Sequence, residues 1–65
     1  MNLTKRELEV ALLVTRGLTN TEIGSKLYIS HHTVKAILEK IYEKLGINNR
    51  VLLAVYVVRY YEKSN

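Results

Sequence analysis

The stretch Thr19–Gly46, TNTEIGSKLYISHHTVKAILEKIYEKLG, limits the possible folds more than any other part of the chain. It reads as two helices joined by a turn of about three residues. Thr19 and Glu22 stand in the S/T-x-x-E spacing of a capping box, so the threonine hydroxyl accepts from the backbone N–H three residues on while the glutamate reaches back. The apolar face of that helix is short, Ile23 and Leu27. Tyr28-Ile29 breaks the pattern, and Ser30 stands where an N-cap opens a second helix with Val34, Ile37, Leu38, Ile41 and Leu45 at helical spacing. Gly46 is a natural stop. A short helix, a tight turn and a longer helix with a polar outer face outline a helix-turn-helix, whose second helix lies in the major groove of DNA.

The rest of the chain must support that unit. Sixty-five residues suffice for one domain, and a chain of that size buries only about 60% of the surface its unfolded form exposes. With no cysteine there is neither a disulfide nor a thiolate zinc site to reinforce it. His31 and His32 are adjacent on a helix, diverge by about 100° and so do not readily share a metal. No metal or cofactor is expected. Ten basic and six acidic residues leave a formal charge of +4, which favours a polyanionic partner but is equally met in a plain solvated surface. Met1-Asn2-Leu3-Thr4 has no basic stretch followed by an apolar core, so no signal peptide is expected. The apolar run Val51–Val58 is too short to span a bilayer, and the expected location is the cytoplasm.

Taken in order, the chain predicts four helices at about 5–16, 20–27, 31–45 and 49–62, an all-α domain over 1–65. Thr4 and Glu7 form another capping box, with Leu3 and Leu8 at the positions of a hydrophobic staple. Val10, Ala11, Leu13 and Val14 share the core side, and Gly17 is placed to end the element. Leu8 and Leu12 lie off that side, as rim residues or as part of a contact surface. Leu18 follows at the corner between the first two helices. Gly24 is costly inside a helix, by about 1 kcal/mol relative to alanine, and is explained if two backbones approach closely near the turn.

On the third helix, a wheel centred on Val34 places His32, Lys35, Ala36, Glu39 and Glu43 on the outer side. The N-terminal turns of a docked recognition helix reach base edges, which selects His32, Lys35, Ala36 and Glu39 and leaves Glu43 outside the groove. Lys35 can donate to guanine O6 and N7, Ala36 can touch a thymine methyl, and Glu39 can accept from cytosine N4. A plain solvated helix with Glu39 and Glu43 paired to Lys35 or Lys40 is the competing reading. Thr19, Thr21, Thr33 and Lys40 lie at helix starts or flanks suited to phosphate contacts.

After Gly46, Ile47 turns back toward the core, and Asn48 or Asn49 caps a last helix that is apolar nearly all round. Leu53, Ala54, Val57 and Tyr61 suit a core; Leu52, Val55, Tyr56 and Arg59 suit a second interface. A two-fold copy of the same helix is the expected partner of that second face. Lipid fits it poorly, because the face lacks the lysine- and arginine-rich flank of an interfacial helix.

Together, LTKRELEV, GLTNTEI, YISHHTVK, KLGI and NR resemble the LuxR-type, or GerE-like, helix-turn-helix domain of bacterial transcription regulators, from Leu3 to about Arg59. The resemblance implies a four-helix domain whose third helix reads the major groove and whose fourth dimerises on direct or inverted repeats. Under it, Lys35 matches a base-touching lysine or arginine, Ala36 and Glu39 match variable reading positions, and Thr33 matches a backbone-contacting threonine. The chain departs from the pattern at Ile37, where histidine is usual, and at His31, where glutamate is common; contacts through those positions do not carry over. Gly24 replaces the usual alanine. The domain commonly follows a receiver or ligand-binding domain, so a start two residues before the motif predicts either a free-standing regulator or an effector domain taken from a longer protein.

The expected function is therefore a sequence-specific regulator of transcription that binds double-stranded DNA as a homodimer, with RNA polymerase or another regulator as a further partner. The alternative is a protein-interaction module of the same fold, using Leu8, Leu12 and the last helix. An enzyme is not expected, since no nucleophile and base are better explained by catalysis than by capping, and no glycine-rich phosphate loop is present.

Overall fold

The computed structural model describes residues 3–61. Four helices follow one another with no strand among the described residues: α1 (Lys5–Thr15), α2 (Asn20–Leu27), α3 (His31–Leu45) and α4 (Arg50–Tyr61). α1 ends one residue short of the expected 16, because Arg16 takes up the C-cap conformation at φ −89° and ψ 3°. α4 begins after Asn49, whose Oδ1 accepts the Leu52 N–H at 2.9 Å. This chooses Asn49 over Asn48 as the cap. The expected end of α4 at 62 lies outside the described residues.

Local chemistry accounts for most helix ends. Both capping boxes form: the Thr4 hydroxyl accepts from Glu7 N–H at 3.1 Å and that of Thr19 from Glu22 N–H at 3.2 Å, while each glutamate accepts the N–H of its threonine at 2.9 and 2.8 Å. Ser30 caps α3 through the Thr33 N–H at 3.1 Å. These bonds satisfy N–H groups that have no intrahelical partner, and each cap is worth about 1 kcal/mol. Gly46 closes α3 at φ +68°, in the left-handed region.

α1 is the centre of the packing and touches each of the other three helices, while α2 lies along α3. The core gathers Val10, Ala11 and Val14 from α1, Ile23 from α2, Val34, Leu38 and Ile41 from α3, and Leu53 and Val57 from α4. Each fully buried valine, leucine or isoleucine contributes about 1.5–3 kcal/mol, so removing one affects a domain this small. Leu13 is only half-buried at the edge of the α1 face, and Leu8 and Leu12 are also half-buried. Tyr61 is not a core residue: the buried stripe of α4 stops at Val57, and Tyr61 is 38% exposed, with its ring centroid 6.3 Å from that of Tyr56.

The turn between α2 and α3 is drawn tightly around Gly24. Its carbonyl accepts from the N–H groups of both Tyr28 and Ile29. A Cβ built there would lie 2.5 Å from the Ile29 carbonyl oxygen and 3.3 Å from the Ser30 carbonyl carbon. The contact is made by the backbone of the turn folding over α2, which makes the close approach suggested by the sequence concrete. Tyr28 turns the corner at φ +61°, ψ +41° with its ring 94% exposed. A left-handed conformation at a residue with a Cβ costs roughly 1–2 kcal/mol, and the hydrogen bonds to Gly24 hold it there.

One ion pair ties the two ends of the sequence-distant frame. Glu7 is buried, and its Oε1 accepts from Lys44 Nζ at 2.7 Å as well as from the Thr4 N–H. The Lys44 ammonium first, and the Thr4 N–H second, hold the Glu7 carboxyl below its usual value of 4.5, against the opposing effect of burial. The unfolded chain therefore takes up this proton at a higher pH than the folded one. The stabilisation is complete above about 4.5 and is lost as pH falls through the lower, folded value. Thermal midpoints measured from neutral to acid pH should fall more steeply for the native chain than for Glu7→Gln. Parallel curves for the two proteins would remove Glu7 as the source of acid sensitivity.

Candidate nucleic-acid interface

Three buried residues of α3, Val34, Leu38 and Ile41, fix its rotation about its own axis. The opposite edge is left in solvent: His32, Lys35, Ala36, Glu39 and Glu43 are all exposed, as are Thr33 and Lys40 on the flanks. Ile37 is half-buried against the core. Its side chain is therefore occupied with packing.

Among the described residues, the ion pairs are Arg6–Glu9 at 3.3 Å and Lys44–Glu7 at 2.7 Å. Lys35, Glu39, Lys40 and Glu43 take part in neither. The competing reading of α3 as a plain solvated helix keeps its exposed face, without the ion pairs to Lys35 or Lys40 among the described residues. An exposed ammonium without a carboxylate partner is available to an external acceptor.

The four residues expected to meet phosphate are placed differently. Thr19 and Thr21 are exposed at the start of α2, but the Thr19 hydroxyl oxygen already accepts the Glu22 N–H. Thr33 Oγ1 lies 3.1 Å from Ser30 Oγ, so it belongs to a small hydroxyl pair at the start of α3. Lys40 is exposed one turn beyond Ala36.

Two basic residues that sequence alone does not place are committed to the frame. Arg50 donates through Nη1 to Asn20 Oδ1 and through Nη2 to the Leu18 carbonyl, each at 2.7 Å, joining the start of α4 to the start of α2. Lys44 is held by Glu7. Tyr28, at the turn just before α3, is an exposed aromatic with no positive-φ signature in the sequence to announce its position.

On α4, Leu52 and Val55 are 45% and 49% exposed and Arg59 is exposed, whereas Tyr56 is half-buried and its ring centroid lies 4.7 Å from that of Tyr60. Val51 and Val58 extend the exposed strip at 71% and 51%. Both share a helix face with Val55, at spacings of four and three residues, so the helical wheel holds the signal for them. A shallow depression lined by Ala54, Val55, Val58 and Arg59 runs along it. No helix of the described residues is long and apolar enough to cross a membrane.

Comparison with known proteins agrees with this geometry. Residues 1–57 match the family described as bacterial regulatory proteins, luxR family. The chain is 47% identical over 58 residues to the transcriptional regulatory protein LiaR of Bacillus subtilis, covering 89% of this chain and 28% of LiaR. It is 45% identical over 60 residues to LnrK of the same organism, covering 92% and 27%. The crystal structure of the response regulator ChrA of a heme-sensing two-component system superposes with a TM-score of 0.84 at 37% identity, covering 91% of this chain and 29% of ChrA. The chain thus spans under a third of the length of these relatives. With four helices in the same arrangement and the family pattern running through three of them into α4, the chain belongs to the luxR family of bacterial regulatory proteins.

Proposed function

We propose that this domain binds double-stranded DNA in a sequence-selective manner to regulate transcription, with α3 in the major groove. The observation that carries the proposal is the exposed edge of α3, with Lys35 outside the ion pairs of the described residues and its helix projected from a tightly built turn. Lys35 is the principal base-reading residue, His32, Ala36 and Glu39 line the same edge, and Thr19, Thr21, Thr33 and Lys40 serve the phosphates. α4 supplies a homodimer seam through Leu52, Val55 and Arg59, with Tyr56 at its margin. Its exposed apolar strip supports this, because an isologous contact buries the same strip twice. Sedimentation as a monomer at high concentration would remove the dimer from the proposal. DNA is the proposed macromolecular partner, and RNA polymerase or a second regulator would act on the assembled complex.

Salt dependence tests the DNA reading against a protein-interaction module of the same fold. Each neutralised phosphate lowers log K by about 0.9 per unit of log salt, so roughly five contacts predict a slope near −4 to −5. A flat response would contradict DNA binding and favour the interaction module.

A further inference from the structure

A shallow cleft runs between α1 and α2. It is lined by Glu9, Leu12, Leu13 and the C-cap Arg16 on one wall and by Lys26 and Leu27 on the other. α1 meets α2 over a shorter stretch than it meets α3 or α4, which leaves the furrow between them open. The cleft shares no residue with the exposed edge of α3 or with the apolar strip of α4.

Its floor is apolar. Leu12, Leu13 and Leu27 pack against the core with one side and remain only half-buried, so a partner that covers the other side gains by removing it from water. The rim is cationic. Glu9 is paired with Arg6 at 3.3 Å, whereas Arg16 and Lys26 are exposed and join no ion pair among the described residues. These two charges stand on opposite walls of the same apolar floor. A nucleic acid would use the cations and leave the leucines wet, and a neutral apolar ligand would use the leucines and leave the cations unmatched. A helix that carries carboxylates beside an apolar stripe meets both, and a furrow between two helices accepts a third by the ordinary packing of ridges into grooves. We propose that the cleft between α1 and α2 docks an acidic amphipathic helix of a partner protein. The leucines supply the contact, and Arg16 and Lys26 select the sign of the partner's charge.

The test uses a synthetic helical peptide of about 18 residues, with leucines spaced i, i+3 and i+7 and glutamates on either side of that stripe, and a second peptide with every glutamate replaced by lysine. Each is titrated into the isotope-labelled intact chain, and amide shifts are followed by NMR. The glutamate peptide should bind with shifts centred on Leu12, Leu13 and Leu27, and the lysine peptide should bind at least about tenfold more weakly. The doubly substituted Arg16→Glu, Lys26→Glu chain should reverse that preference. Both positions are exposed, and circular dichroism confirms that the fold is kept. Equal affinity for the two peptides, shifts centred on another face, or no binding of the glutamate peptide would each overturn the proposal while leaving the α3 reading intact. A doubly substituted chain that keeps its preference for the glutamate peptide but loses affinity for a DNA duplex would assign the two cations to DNA, and would overturn it as well.

Discussion

Gly24→Val should lower the thermal midpoint of this domain by roughly 10–20 °C, the largest stability effect of any single substitution proposed here. The reason is geometric. A Cβ at Gly24 would meet the Ile29 carbonyl oxygen at 2.5 Å, and that oxygen is backbone, so it moves only if the whole turn moves. Valine adds two methyl groups to the clash and stiffens χ1 in a helix. Overpacking of this kind costs about 2–3 kcal/mol, and a domain this small shifts by some 4–8 °C per kcal/mol. Gly24→Ala should fall between the two, because its gain in helix propensity of about 1 kcal/mol opposes a smaller clash. DNA affinity should drop along with stability, since the turn sets the direction in which α3 projects. An unchanged midpoint for Gly24→Val would mean that the turn is far softer than its hydrogen bonds to the Gly24 carbonyl imply.

Lys35→Ala should act on binding while leaving the fold untouched. Lys35 is exposed and outside both ion pairs, so its removal disturbs no packing and no partner. Loss of a base-edge contact costs about 1–3 kcal/mol, or roughly 5- to 150-fold in affinity, and relaxes base choice at one position of the site. Loss of a phosphate contact instead weakens all sequences alike and makes the salt slope shallower by about one unit. The two outcomes separate base reading from charge alone. An unchanged affinity and an unchanged selectivity would remove Lys35 from the interface.

The parts of the fold legible in the sequence are those whose causes are local. Thr4 with Glu7, Thr19 with Glu22, Ser30 with Thr33 and Gly46 each act within a turn of the chain, so type and spacing suffice to place them. The buried stripe of α3 was legible for the same reason. The ties that hold the helices together were not: Lys44 reaches Glu7 across 37 positions and Arg50 reaches Asn20 across 30, and no periodicity links such residues. Tyr28 has a left-handed backbone without the glycine or asparagine that announces one. Tyr61 has the right spacing for the core but lies beyond the last buried position of α4, and a helical wheel carries no information about where the buried stripe stops. At the interface, a polar outer edge on α3 is visible from spacing, but the ion-pair status of Lys35 and the half-buried state of Ile37 and Tyr56 depend on packing.

The central claim is that the exposed edge of α3 reads base sequence. Selection from a pool of random DNA duplexes, carried out in parallel with the native chain and Lys35→Ala, tests it most directly. The native chain should recover a defined motif, with two-fold or direct-repeat symmetry if α4 pairs two copies, and Lys35→Ala should recover the same motif with one position per half-site relaxed. Recovery of no motif by the native chain, or of an identical motif with undiminished selectivity by Lys35→Ala, would contradict it.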